Sequence, residues 1–329
     1  MRSLSPPDEM DDTKMSFGEH LEELRAALWK AVLALFMGFL VGLLVGGEMV
    51  KFVQKPLMEG LEQLRMEQKQ RRYEQALPEG AEPDAAALDE GLVPETYLID
   101  SRELLKALEA EGVSVGDAGA SSKRVPVTLW RSIEDDPGVR TIGTGVPDAF
   151  TVYVKASLVV GIILSSPFVF YFLWSFVAAG LYPHEKRYVH VFFPFSVGLF
   201  LIGAALAFFV VFRFVLAFLF QFYDWMDIDP TPRISEWLGF VLILPIGFGI
   251  AFQLPLVMLF LERIGVMNVQ SYLRYWRYAV LVIFILSMFL TPADPQSLVL
   301  MAVPLTALYF GGVLLCKFLP RQKGAFEEE

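Results

Sequence analysis

The chain has 329 residues, 55% of them hydrophobic, 14% aromatic and 19% charged, with a mean hydropathy of +0.49. That is too apolar for a soluble domain of ordinary make-up and makes the bilayer its natural solvent. A formal net charge of −10 with no clustered basic surface argues against nucleic acid as a partner.

Residues 1–27 open polar and acidic and then turn amphipathic. The first apolar run continues into a full span, so no cleavable leader is expected and the segment should stay in the mature protein. Ser16 and Glu19 stand at capping-box spacing, and Phe17, His20, Leu24 and Leu28 recur at three and four residues. A helix is therefore predicted to start here, with an apolar stripe lying in the membrane interface and running into the first span. On residue types alone, Glu19, Glu22 and Glu23 complement the positive end of that helix from a solvated face.

Six apolar segments follow, at 28–50, 152–179, 189–220, 237–261, 278–290 and 298–318. All are expected to be helices, because a lipid-exposed backbone must satisfy its own hydrogen bonds. The first four reach or exceed the roughly 20 residues that cross a hydrocarbon core, whereas the fifth and with it the sixth fall short, implying a locally thinned bilayer. Pro167, Pro245, Pro255 and Pro304 lie inside apolar runs and predict kinks. Cys316, the single cysteine, excludes an internal disulfide and reads as a small packing residue. The fold class expected is thus all-α: a kinked six-helix transmembrane bundle with short fifth and sixth helices, and a small α+β insertion.

Lys and Arg in the short loops set the orientation. One side collects Arg2, Lys14 and Arg25, then Lys186 and Arg187 in the loop 180–188, Arg263, Arg274 and Arg277 in the loop 262–277, and Lys317, Arg321 and Lys323 around the tail 319–329. The opposite short loops, 221–236 and 291–297, offer only Arg233. Both termini are therefore expected in the cytoplasm, with residues 51–150 outside.

That extracytoplasmic segment is the one shift of composition in the chain. Leu57, Leu61 and Leu64 fall at helical spacing among many charges, which predicts an amphipathic helix over 57–76. A turn is expected near Pro78 to Pro83. Residues 96–99 and 125–130 read as strands, and Ser101 as the cap of a helix carrying Leu104, Leu105 and Leu108 and stopped by Gly112.

Two stretches carry a resemblance. His20-Leu21-Glu22-Glu23-Leu24-Arg25, taken with Gly180-Leu181-Tyr182-Pro183-His184-Glu185-Lys186-Arg187, resembles the two cytoplasmic signatures of the TatC family, the signal-peptide receptor subunit of the twin-arginine protein translocase. In order along the chain, Lys55-Pro56-Leu57, Gly145-Val146-Pro147-Asp148-Ala149-Phe150 with Lys155, Phe248-Gly249-Ile250-Ala251-Phe252-Gln253-Leu254-Pro255 and Leu290-Thr291-Pro292-Ala293-Asp294-Pro295 are similar to further parts of that family. The similarity spans nearly the whole chain except about 59–140. Three positions depart from it: Ala27 where a second basic residue is common, Ala179 where proline is frequent, and Leu298 where glutamine is frequent.

The resemblance implies a non-enzymatic receptor in the cell inner membrane, without cofactor or metal. It would bind twin-arginine signal peptides of folded substrates and assemble with single-span TatA-like and TatB-like proteins, in an oligomeric complex surrounded by membrane lipid and driven by the proton motive force. Carried over residue by residue, Glu23 and Glu185 would hold signal-peptide arginines, with Arg25, Phe176, Lys186 and Arg187 shaping the site. Pro56, Gln253 and Asp294 would serve the membrane interior or the frame. Carboxylates suit this task, since a planar guanidinium donates two parallel charge-assisted bonds to one carboxylate, a geometry an ammonium cannot reproduce.

The main rival is a secondary transporter of a small solute. It would explain six helices, interior prolines and Gln253, but beyond Glu48 and Lys155 near span ends and Arg213 late in the third span, no ionisable residue lies deep. A membrane enzyme is a second rival, yet His20, His184 and His190 have neither metal-ligand nor triad spacing.

Overall fold

The computed structural model describes residues 17–76, 92–111, 124–133, 136–139, 141–181, 186–291 and 295–319. The elements are α1 (Phe17–Ala76), β1 (Leu92–Asp100), α2 (Ser101–Ala110), β2 (Arg124–Ser132), α3 (Asp148–Ala179), α4 (Lys186–Leu206), a π-helical stretch (Ala207–Val211), α5 (Phe212–Trp225), α6 (Ile234–Ala251), α7 (Leu254–Arg263), α8 (Val269–Leu290) and α9 (Pro295–Phe318). Six helical segments are long and apolar enough to cross a membrane: α1, α3, α4 with α5, α6 with α7, α8 and α9. The chain is a multi-pass membrane protein of mostly helical architecture with one small sheet.

The last two spans are the shortest, at 22 and 24 residues against 30 to 58 in the others, but both reach the roughly 20 residues that cross a hydrocarbon core, so the expected shortfall is not met. α8 begins earlier than the apolar run that signalled it, because Asn268 caps it by accepting the Ser271 N–H at 2.9 Å. Arg274 and Arg277 occupy its first half, so its uncharged part remains brief. Pro255 falls in the first turn of α7, where the missing N–H is least costly, and the fourth span is divided there into α6 and α7. Pro167, Pro245 and Pro304, and also Pro56 and Pro194, sit within unbroken helices. The turn expected at Pro78 to Pro83 and the stop at Gly112 lie outside the described residues.

The chain divides into two compact units, one of residues 1–54, 143–215 and 233–329, the other of residues 55–142 and 216–232. In the first, α4 packs on α3 and α6, α3 also on α6, and α9 on α7 and α8. α1 meets α3 through small residues: a Cβ on Gly38 would lie 2.5 Å from the Gly161 carbonyl oxygen, and one on Gly161 would lie 2.7 Å from the Phe39 Cα. Lipid tails give no hydrophobic push between helices, so such close backbone contact supplies the van der Waals attraction that joins them. The Tyr153 hydroxyl adds a bond by donating to the Leu43 carbonyl.

In the second unit, β1 and β2 form a two-stranded antiparallel sheet in register from Leu92 opposite Ser132 to Asp100 opposite Arg124. The strands run well past the stretches that sequence marked. The Asp100 carboxylate accepts the Arg102 N–H at 3.0 Å as α2 begins. Val93, Ile133 and Val139 form a core on which Met58 and Met66 of α1 pack, and Leu57, Leu61 and Leu64 are buried as their spacing predicts. Lys69 Nζ lies 2.7 Å from Glu95 Oε1 and 2.6 Å from Asp136 Oδ2. The Lys69 bond, helped by the Tyr97 hydroxyl, holds Glu95 below the usual carboxylate range. At Asp136 burial opposes ionisation, but the Lys69 ammonium and the Gly138 N–H outweigh it and its value is also lowered.

Two outcomes follow. Gly161→Val should weaken the α1–α3 contact by about 1–3 kcal/mol, read as a lower thermal unfolding midpoint in detergent, while Gly47→Ala, where a Cβ meets nothing within 4 Å, should leave the midpoint unchanged. Lys69→Met should take from Glu95 and Asp136 the cation they share, leaving Glu95 with the more distant Arg131 at 3.9 Å, and raise the opening of the β1–β2 amides in hydrogen exchange by about 100-fold, equivalent to roughly 3 kcal/mol. Both carboxylates have lowered values when folded, so their contribution is complete at neutral pH and is lost as acid carries the pH below about 4. In wild type the hairpin should therefore loosen in that window, and in Lys69→Met it should not loosen further.

Candidate functional site

Where the first turns of α1 meet the last turns of α3, an aromatic contact joins the two signature segments. The His20 ring stacks on Phe176 with centroids 4.6 Å apart and an interplanar angle of 25°. Gly180 caps α3, and a Cβ there would lie 2.9 Å from His20 Cε1, so the imidazole packs closely against the chain at this glycine and would have to shift to admit a side chain. His20 Nδ1 is buried and has no hydrogen-bond partner among the described residues.

The end of α3 that carries Phe176 is fixed from behind. Trp174 stacks on Phe192 of α4 at 5.8 Å and meets Phe260 of α7 edge-on at 5.2 Å, within a cluster that also buries Val189 and Leu256. Its indole N–H donates to Ser196 Oγ at 2.7 Å, and Gln253 Nε2 donates to the Ser196 carbonyl at 2.9 Å. Gln253 is thus tied across helices at the division between α6 and α7.

The other residues singled out from sequence are distributed as follows. Glu23 and Arg25 are exposed on α1 one turn beyond His20, and Lys186 and Arg187 are exposed at the start of α4. Arg25 borders a shallow hollow with Leu21, Leu24, Leu28 and Trp29. Phe176 is half-buried under His20. Glu23 forms no ion pair among the described residues. Pro56 belongs to the other compact unit. Glu185 and Asp294 lie outside the described residues, as do Ser16 and the stretch Tyr182 to His184.

Sequence reasoning placed His20 on the apolar stripe of α1 without assigning it a partner, and did not single out Trp174 or Ser196. The stripe was the available signal for His20: a ring at helical spacing with Phe17 and Leu24 must face protein or lipid, and here it faces Phe176.

Comparison with known proteins agrees with the architecture. The family model for TatC, the Sec-independent protein translocase protein, matches residues 19–304. The Sec-independent protein translocase protein TatC of Desulforapulum autotrophicum is 36% identical over 192 residues, 58% of this chain and 71% of that protein. The TatC of Carboxydothermus hydrogenoformans is 37% identical over 183 residues, 55% of this chain and 74% of its own length. In fold, the chain is similar to a crystal structure of the twin-arginine translocase receptor TatC, with a TM-score of 0.63 and 22% identity over 91% of this chain and 98% of that one. With the family model matched across most of its length and six spans in the corresponding fold, this chain belongs to the TatC family of Sec-independent protein translocase proteins.

Proposed function

We propose that the chain is the signal-peptide receptor of a twin-arginine translocase: it binds the paired arginines of folded export substrates at the cytoplasmic face of the inner membrane, and catalyses no covalent reaction. With TatA-like and TatB-like single-span partners in an oligomeric complex, it passes the cargo across the membrane at the expense of the proton motive force. The observation that carries the reading is the stacking of His20 on Phe176 beside Gly180, which brings the helix bearing Glu23 to the segment leading into Glu185, Lys186 and Arg187. A carboxylate at Glu23 and another at Glu185 would each take one guanidinium through charge-assisted bonds. Arg25, Phe176, Lys186 and Arg187 would shape the site around the two acids. Pro56, Gln253 and Asp294 would serve the frame rather than the arginines.

A hydrogen bond to a charged group is typically worth about 1.5–3 kcal/mol net, so Glu23→Gln and Glu185→Gln should each weaken binding of a twin-arginine precursor by roughly one to two orders of magnitude. Glu22 points about 100° away around the helix, and Glu22→Gln should bind as wild type. Equilibrium binding in detergent, beside a precursor whose two arginines are lysines, decides it. Equal losses in all three variants, or normal binding in Glu23→Gln and Glu185→Gln, would exclude the two carboxylates as the arginine site.

The same reading requires both termini in the cytoplasm and residues 51–150 outside. With cysteines at Ser3 and Ser121, an impermeant thiol reagent added to intact spheroplasts should label position 121 and spare position 3. The reverse pattern would invert the topology.

A further inference from the structure

Between α1 and α3 runs a groove of about 580 Å³, lined on α1 by Leu33, Ala34, Met37 and Val41 and on α3 by Phe168 and Phe172. Where Gly38 approaches Ser165, the two helices close against each other along this track. Apart from Ser165, whose hydroxyl donates to the Ile162 carbonyl of its own helix, the lining is apolar up to one end, where Lys30 supplies its one charge. Lys30 is exposed and has no ion pair among the described residues.

Depth along α1 identifies what fits. The uncharged run 31–47 lies between Lys30 and Glu48 and is about 26 Å long at the helical rise, close to a hydrocarbon core of about 30 Å. Lys30 therefore stands at headgroup level on the N-terminal side of the span. From Lys30 to Val41 the groove descends about 16 Å, the depth of roughly one leaflet. A partner helix crossing the membrane would need an apolar track through both leaflets, and this one ends near the middle. A long cation at the headgroup above a one-leaflet apolar track matches a molecule with an anionic head and an acyl tail.

We propose that this groove binds one anionic phospholipid from the leaflet on the N-terminal side of α1, with the headgroup phosphate on Lys30 Nζ and one acyl chain lying between Met37 and Phe168. The site needs only that α1 spans the bilayer, and it stands or falls independently of arginine recognition.

The test uses the purified full-length protein in mild detergent, titrated with dioleoylphosphatidylglycerol or dioleoylphosphatidylcholine and read by native mass spectrometry. Wild type should retain one phosphatidylglycerol with about fivefold preference over phosphatidylcholine, the advantage expected for one cation near an anionic head. Lys30→Gln should abolish the preference while leaving phosphatidylcholine retention unchanged, and Lys317→Gln, a change at an exposed lysine on α9, should not. Ala34→Phe, which fills the track without touching the charge, should lower retention of both lipids severalfold. If that variant does not purify, Ala34→Cys alkylated after purification, beside alkylated wild type, fills the same space. The proposal is overturned if Lys30→Gln keeps the preference, if Lys317→Gln loses it equally, if filling the groove leaves retention unchanged, or if a photoreactive group at Ala34 captures a single-span protein in place of lipid.

Discussion

Ser196 receives a hydrogen bond from each of two neighbouring spans, the Trp174 indole on its hydroxyl and the Gln253 amide on its carbonyl. In a bilayer no water replaces a missing partner, and an unmet polar group costs several kcal/mol. A tryptophan and a glutamine placed at this depth therefore confine α3, α4 and the α6–α7 division to an arrangement in which both donors are met. The aromatic packing of Trp174 with Phe192 and Phe260 adds area and direction to that constraint. Phe176 follows Trp174 by half a turn and Gly180 closes the same helix, so the place where His20 rests is inherited from a bond made below it.

The number of spans was legible because uncharged runs of this length have few other uses. Where spans begin was less so. α8 starts at a polar cap before two arginines, a boundary fixed by Asn268 chemistry and invisible to hydropathy. In the insertion, β-branched stretches marked both strands but not their length, since pairing rather than composition extends them. Pro94 and Pro126 argue against strand by propensity, yet in a two-stranded sheet each strand has an outer edge where a missing N–H disturbs no ladder. The two signatures could be read as motifs, but their meeting through His20 and Phe176 is a tertiary fact that no local pattern encodes.

The ion pairs of the second unit are unequal. Arg71 with Asp224 and Arg72 with Asp227 are formed by well-exposed cations, where solvent screening leaves such pairs little weight. Lys69 is different: it is largely buried, serves two carboxylates at once, and joins α1 to both the sheet and the short turn Pro137–Val139 that follows it. Arg65, similarly buried, reaches Asp229 in the connection between α5 and α6. One helix therefore ties the parts of the second unit together through two well-shielded cations.

The π-helical stretch at Ala207–Val211 bears on the third span as a whole. Buried residues there come in adjacent pairs four apart, at 203 and 204, 207 and 208, 211 and 212, and 215 and 216. On a regular α-helix a step of four residues drifts by about 40°, and three such steps would carry the buried face about a third of the way round. The wider turn of the π-segment, with its i to i+5 bonding, takes up part of that drift, and Phe208 and Phe212 lie stacked at 5.8 Å with 11° between their planes. This span thus behaves as a flat rail, and its angular phase is stored in a single turn: removing one residue there would swing everything toward its far end by about 100° and turn the inward rings to the lipid.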